Sequence, residues 1–236
     1  MKSINIIVVA LCFFAITACE KEREPKGSGK LGALEWRLLN KILTISGTAG
    51  MEELGEGDAP WYPYRDAIKK VVIEEGVTSV GSYAFYGCEN LVVANLPQSI
   101  NTIGGYAFGG CRSLEGIAFS NSLKEIGYAA FEGTGLTSVT IPASVEQIGG
   151  RAFSKCPIYS IVFNGPVENM GNDIFESMNN WTRVYLLEIN SPPFPVHSNL
   201  FDDFDKDESL LIVPKGTGTL FGAAPVWQNF KNITER

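Results

Sequence analysis

"IGGYAFGGC", residues 103–111, recurs along the chain as "VGSYAFYGC" from Val80, "IGYAAFEGT" from Ile126 and "IGGRAFSKC" from Ile148. A divergent copy, "MGNDIFESM", starts at Met170. Phe85, Phe108, Phe131, Phe153 and Phe175 are therefore spaced by 23, 23, 22 and 22 residues. Val80, Ile103, Ile126, Ile148 and Met170 keep the same register, and each is followed by glycine. So do Ile73, Leu96, Phe119, Ile141 and Phe163 upstream. Three columns in one register, at a period of 20–29 residues, predict a stacked repeat of leucine-rich type. A unit this short cannot close its own core, so neighbouring copies must supply it.

Each copy reads the same way. "LTSVTI" (136–141) is a short strand with Leu136, Val139 and Ile141 inward. A turn, often through proline (Pro97, Pro142), leads to a second extended piece, "VEQIG", carrying Val145 and Ile148. The recurrent glycine marks either a special backbone conformation or a close approach that a side chain would block. "RAFSKC" then turns a helical or 3₁₀ corner, sending Ala152, Phe153 and Cys156 inward. The expected fold is a mainly β solenoid of about six rungs, 68–209, with an N-terminal cap at 36–67 and a C-terminal cap at 210–236. "WRLLNKILTISGTAGM" (36–51) supplies two strands of the first cap. A sixth rung opens at Trp181 and lengthens the next phenylalanine interval, Phe175 to Phe201, to 26.

The first 35 residues belong outside this pattern. Lys2 and the apolar run 4–15 read as a secretory signal, since spanning a bilayer takes about 20 apolar residues. "ITAC" (16–19) resembles the lipobox of bacterial lipoproteins, which implies cleavage before Cys19 and acylation of its thiol and new N-terminus. Several acyl chains, each burying CH₂ groups at about 0.8 kcal/mol, make a durable membrane anchor. Residues 19–35, charged and glycine-containing, are expected to be a flexible tether.

The net charge of −7 over 236 residues, with no basic run longer than Lys69-Lys70, argues against the extended basic surface that a nucleic-acid partner needs. At 45% apolar residues the chain can build a core. With His197 as the single histidine, in a proline-rich loop, a Ser-His or Cys-His dyad elsewhere has no base. Cys88, Cys111 and Cys156 share one repeat position with Thr134 and Met178. Small buried residues or a Cys88–Cys111 bridge would both satisfy that ladder. "DDFDKDE" (202–208) holds Asp203, Asp205 and Asp207 at calcium-loop spacing but has Glu208 where the loop needs glycine. No cofactor motif and no zinc spacing occurs, and no reaction is indicated.

Recognition is left to the outside. On the outer strand face one column is Lys70, Val93, Gly116, Ser138, Ser160 and Arg183, and the next is Val72, Asn95, Ala118, Thr140, Val162 and Tyr185. Its middle is small and uncharged, which suits a flat macromolecular contact or a bare solvated sheet equally. Trp61, Tyr62 and Tyr64, with Tyr83 and Tyr106 on a neighbouring face, form an aromatic group that either stacks on sugar rings or covers an open core end.

The strand followed by "IPxSVxxIGxxAFxxC", together with "PWYPY", "SGTAGM" and "VPKGT", resembles the BspA-like leucine-rich repeat proteins common among surface lipoproteins of Bacteroidetes. The resemblance covers residues 36–236. It implies a right-handed, non-enzymatic leucine-rich-repeat solenoid on an outer-membrane anchor, displayed at the cell surface and adhering to host matrix protein or other cells. A structural subunit of an envelope complex and a glycan-binding accessory lipoprotein are the alternatives. Early acidic residues from Glu20 resemble the export signals of that group.

Overall fold

A computed structural model describes residues 26–177, 183–186, 196–197 and 199–236. The lipobox with Cys19, and Met178 and Trp181, lie outside these residues. β1 (Gly27–Leu31), β2 (Leu34–Leu39) and β3 (Ile42–Ser46) form an antiparallel meander. From β3 onward the outer strands run parallel in chain order. They are β4 (Lys70–Ile73), β6 (Val93–Asn95), β8 (Gly116–Ile117), β10 (Ser138–Ile141), β12 (Ser160–Phe163), β14 (Arg183–Leu186), β15 (Leu210–Val213) and β16 (Asn232–Glu235). A second parallel sheet joins the two-residue strands β5 (Ser79–Val80), β7 (Thr102–Ile103), β9 (Glu125–Ile126), β11 (Gln147–Ile148) and β13 (Asn169–Met170). The result is a β-solenoid of about seven turns. Both caps add strands to the outer side, so they extend the stack as well as close it.

The repeated columns face inward together. Phe85, Phe108, Phe131, Phe153 and Phe175 are at most 1% exposed. Their rings stack at centroid distances of 5.1, 5.3, 5.4 and 5.9 Å, within 28° of parallel. Phe burial of this kind contributes about 1.5–3 kcal/mol per ring. Trp61 continues the stack at its N-terminal end, 5.9 Å from Phe85, and Phe204 meets Phe175 at 6.0 Å at the other.

The glycines are required by proximity. Those of the repeated column have ordinary φ, but a Cβ on Gly149 would meet the Tyr128 backbone N, lying also 2.6 Å from Gly127 C and 2.8 Å from Tyr128 Cα. Gly104, Gly127 and Gly171 collide with the preceding rung's backbone in the same way.

The corners are chains of 3₁₀-type turns interrupted at every second residue. In one rung the N–H groups of Ala84, Tyr86 and Cys88 donate locally, to Gly81, Tyr83 and Phe85 carbonyls. Those of Tyr83, Phe85 and Gly87 cross instead to Gly105, Ala107 and Gly109 in the next rung. Each of these six N–H groups thus has a partner, and the alternation costs left-handed backbone in each rung. Tyr83, Tyr106, Ala129, Arg151 and Asp173 all have φ of 50–58°. Four residues later Gly87, Gly110, Gly133, Lys155 and Ser177 repeat the left-handed turn, at φ of 59–73°.

One expected boundary is corrected. Residues 27–35, assigned to the tether, are folded: β1 pairs along its whole length with β2. Gly27 and Gly29 let it pass over the Trp36 indole, where a Cβ would lie 3.0 and 2.9 Å from ring atoms.

Candidate functional site

The outer strand face is built by strict register. Ile42, Lys70, Val93 and Gly116 align across β3, β4, β6 and β8. Ser138, Ser160, Arg183, Leu210 and Asn232 align across β10 to β16. The neighbouring column pairs Thr44, Val72 and Asn95, then Thr140, Val162, Tyr185, Ile212 and Thr234. Alternation along each strand turns these residues outward, with Ile212 near the C-terminal end nevertheless buried, while Val71, Val139 and Ile161 face the core. Gly116, Ala118, Ser138 and Thr140 are exposed, and Ser160 and Val162 are half-buried. Ala118 sits just past β8, where the ladder breaks before β10. The residues predicted for this face therefore lie side by side, as a strip one or two small side chains deep.

The aromatic group at 61–64 is not a platform. Trp61 is 1% exposed, its Nε1 donates to the Ala84 carbonyl at 2.7 Å, and its ring is enclosed by Phe85 and Trp36. Tyr64 leans on Trp36 at 6.3 Å, and the Arg65 guanidinium covers the Tyr62 ring at 4.5 Å. The segment caps the open core, and Trp61 is corrected from a candidate sugar-stacking residue to a core residue.

A different aromatic cluster stands on the corner face. Tyr83 and Tyr106 stack at 5.0 Å, Tyr86 packs edge-on against both, and Tyr128 meets Tyr106 at 5.6 Å. The sequence reading noted Tyr83 and Tyr106 but missed Tyr86 and Tyr128, although "SYAFY" places two tyrosines three residues apart on one turn. An ion ladder continues this face: Arg151 bridges Glu132 at 3.3 Å and Glu176 at 3.0 Å, and Lys155 reaches Glu132 at 2.7 Å.

Groups suspected of chemistry are in structural use. Cys88, Cys111 and Cys156 are free and buried. The Cys111 thiol donates to the Phe85 carbonyl at 3.2 Å, and that of Cys156 to the Phe131 carbonyl at 3.0 Å. Burial pushes the Cys88 thiol up to about 12 and the Cys156 thiol up to about 11. Asp205 accepts from the Asp207 and Glu208 N–H groups, and Asp207 pairs with Lys231. His197 is exposed, beside Glu168 and Asn169. Among the described residues no group of three or more His, Cys, Asp or Glu is placed to hold a metal ion, and no helix is long and apolar enough to cross a membrane.

What these residues define is a repeat solenoid whose outer face is built from two successive parallel ladders, a fold that presents surface for macromolecular contact. The chain belongs to the BspA-type leucine-rich repeat family, whose model matches six copies over residues 62–182. In structure it is similar to a leucine-rich repeat protein from Bacteroides ovatus, with TM-score 0.52, 19% identity, and coverage of 86% of this chain and 62% of that one. It is also similar to the pneumococcal vaccine antigen PcpA, with TM-score 0.60, 16% identity, and coverage of 85% and 47%. The chain thus spans less than two thirds of the length of either structure. Compared by sequence with curated proteins, it has no significant match.

Proposed function

We propose that this protein is a non-enzymatic surface lipoprotein that captures a macromolecular partner, a host-matrix or cell-surface protein, on the outer face of its solenoid. Cys19 carries the acyl anchor to the outer membrane. The observation that carries the reading is the run of Gly116, Ala118, Ser138, Thr140, Ser160 and Val162. It is flat, small and uncharged, and a partner's backbone or side chains can approach it without displacing long solvated groups. Adhesion of this kind is compatible with a fold shared with a pneumococcal vaccine antigen.

The test is Ala118→Lys combined with Thr140→Lys. Both side chains are exposed, so folding should be unchanged, with a melting curve superimposable on that of the parent. Capture of host-matrix extract on the immobilised protein should fall at least tenfold. Undiminished capture would dismiss the strip as the contact surface. Capture confined to the producer's own membrane extract would make the protein an envelope assembly subunit instead.

A further inference from the structure

We propose that the N-terminal margin of the outer face docks on the anionic headgroups of the bilayer that anchors the chain, a reading that rests on acylation of Cys19. Seven large apolar side chains are exposed among the described residues, and four of them meet here: Leu39, Ile42, Val92 and Val93, at 42, 38, 47 and 41%. Register brings them together. Leu39 pairs with Ile42, Ile42 with Lys70 and Lys70 with Val93, while the Val92 N–H donates to the Lys69 carbonyl. Four strands at about 4.8 Å spacing make the patch roughly 14 Å wide. Lys69 and Lys70 stand inside it. Along these two rows the first carboxylate is Glu115, one strand beyond Val92, and from Gly116 onward the face is the small uncharged strip described above. Aliphatic side chains with interspersed lysines are the composition of a lipid interface, where the apolar groups enter the headgroup boundary and the cations meet phosphate.

Position supplies the second argument. Gly27 pairs with Leu38, so the chain enters the fold beside Leu39, with Lys26 at the threshold. Seven residues, 20–26, lie between Cys19 and Gly27, so eight Cα-to-Cα steps give a reach of at most about 29 Å when fully extended. An acyl anchor on Cys19 therefore holds this patch at the bilayer at an effective concentration on the order of millimolar, enough to keep a weak contact engaged. The solenoid would then rest on its first strands, with the strip from Ala118 to Val162 beyond the lipid contact and free to meet a partner.

The acylated full-length mature chain is reconstituted in phosphatidylcholine vesicles with or without phosphatidylglycerol. A fluorophore is placed at Asn95→Cys, beside the patch, or at Thr234→Cys, at the far end, and the lipids carry a headgroup quencher. The native thiols are buried, so the label reports one site. Quenching at position 95 should exceed that at 234 severalfold in anionic vesicles. The excess should shrink as salt is raised and the charges are screened, and it should vanish with Lys69→Glu combined with Lys70→Glu while the protein still floats with the vesicles. Equal quenching at the two positions, or an excess indifferent to both salt and charge reversal, would overturn the docking face with the anchor intact. Quenching that tracks protein density at fixed lipid would replace the bilayer by a second copy of the chain. An N-terminal peptide whose mass shows no acyl chains would instead remove the anchor, and the docking face with it.

Discussion

A glycine series separates the two reasons this fold has for glycine. Gly149 has ordinary φ, but a Cβ there meets three backbone atoms of the preceding rung, two of them at 2.6 and 2.8 Å and the Tyr128 N closer still. None can swing aside as a side chain would. Gly133 is the opposite case, with φ of +67° and no atom within 4 Å of the added Cβ. Gly116 has neither constraint. Alanine lowers the entropy of the unfolded chain and so adds about 0.4–1 kcal/mol wherever its backbone fits. Left-handed backbone costs a non-glycine residue about 1–2 kcal/mol. Gly116→Ala should therefore stabilise by up to about 1 kcal/mol, and Gly133→Ala should destabilise by a net amount of roughly 0.5–1.5 kcal/mol. Gly149→Ala must push two rungs apart and should cost about 3 kcal/mol or more, at the top of the overpacking range. At about 2–4 °C per kcal/mol for a domain of this size, that lowers Tm by roughly 6–12 °C. The converse holds at Ser177, exposed with φ of 61°, where Ser177→Gly should cost nothing and relieve up to about 1 kcal/mol. Urea or thermal unfolding followed by circular dichroism reads all four variants. If Gly149→Ala costs no more than Gly133→Ala, the rungs are not held apart by backbone contact and the argument from proximity fails.

Two further outcomes follow from the core. Phe131→Ala removes a fully buried ring flanked by Phe108, Phe153 and Phe119, and should cost about 3–5 kcal/mol; a loss below 1 kcal/mol in urea titration would mean that the stack collapses around the gap. The thiols give a pH signature. Burial raises them above the ordinary value of 9.0, so the unfolded chain ionises before the folded one. Their contribution is complete below pH 9 and is lost as pH climbs from 9 through about 11 to 12. Urea midpoints across that range should fall less steeply in Cys156→Ala than in the parent, and Cys88, Cys111 and Cys156 of the native protein should resist iodoacetamide at pH 8; rapid alkylation at these three positions, read by peptide mass, would contradict burial.

What could be read from the sequence follows the number of times each feature is written. The phenylalanine column occurs five times, so the inward face and the two strands per rung were legible from spacing alone, while the caps were read as departures from it and the first was begun too late. The glycine column was legible as a constraint but not as a kind of constraint, because proximity and positive φ both select glycine. Backbone accounting decides it, and the same accounting exposes what no pattern announced. Every second N–H in a corner belongs to the next rung, which forces Tyr83, Tyr106 and Arg151 into left-handed backbone although their side chains disfavour it. Features written once were the ones misread. "GSGKL" has a linker's composition, yet its glycines are the two positions that cross the Trp36 indole. "PWYPY" read more readily as a core cover than as an aromatic platform, and Trp61 does fill the open end of the phenylalanine stack.

The outer face is legible to an intermediate degree, for a reason that bears on function. Rung spacing fixes which residues stand beside one another there, so the columns of Lys70 and Val72 could be written from the repeat. What the residues in those columns do is set by their neighbours and by where the chain enters. The same register that lines up Ile42, Lys70 and Val93 also lines up Ser138 and Ser160, and nothing in the period separates them. The difference lies in β1, whose pairing with β2 brings the chain in beside Leu39 and so gives the solenoid a near end and a far end. A repeat is symmetric under translation along its axis, and its caps break that symmetry. On the acylated chain proposed above, orientation of the head, and with it the stretch of outer strip left open to a partner, would therefore be set by residues 26–42 rather than by any of the five copies.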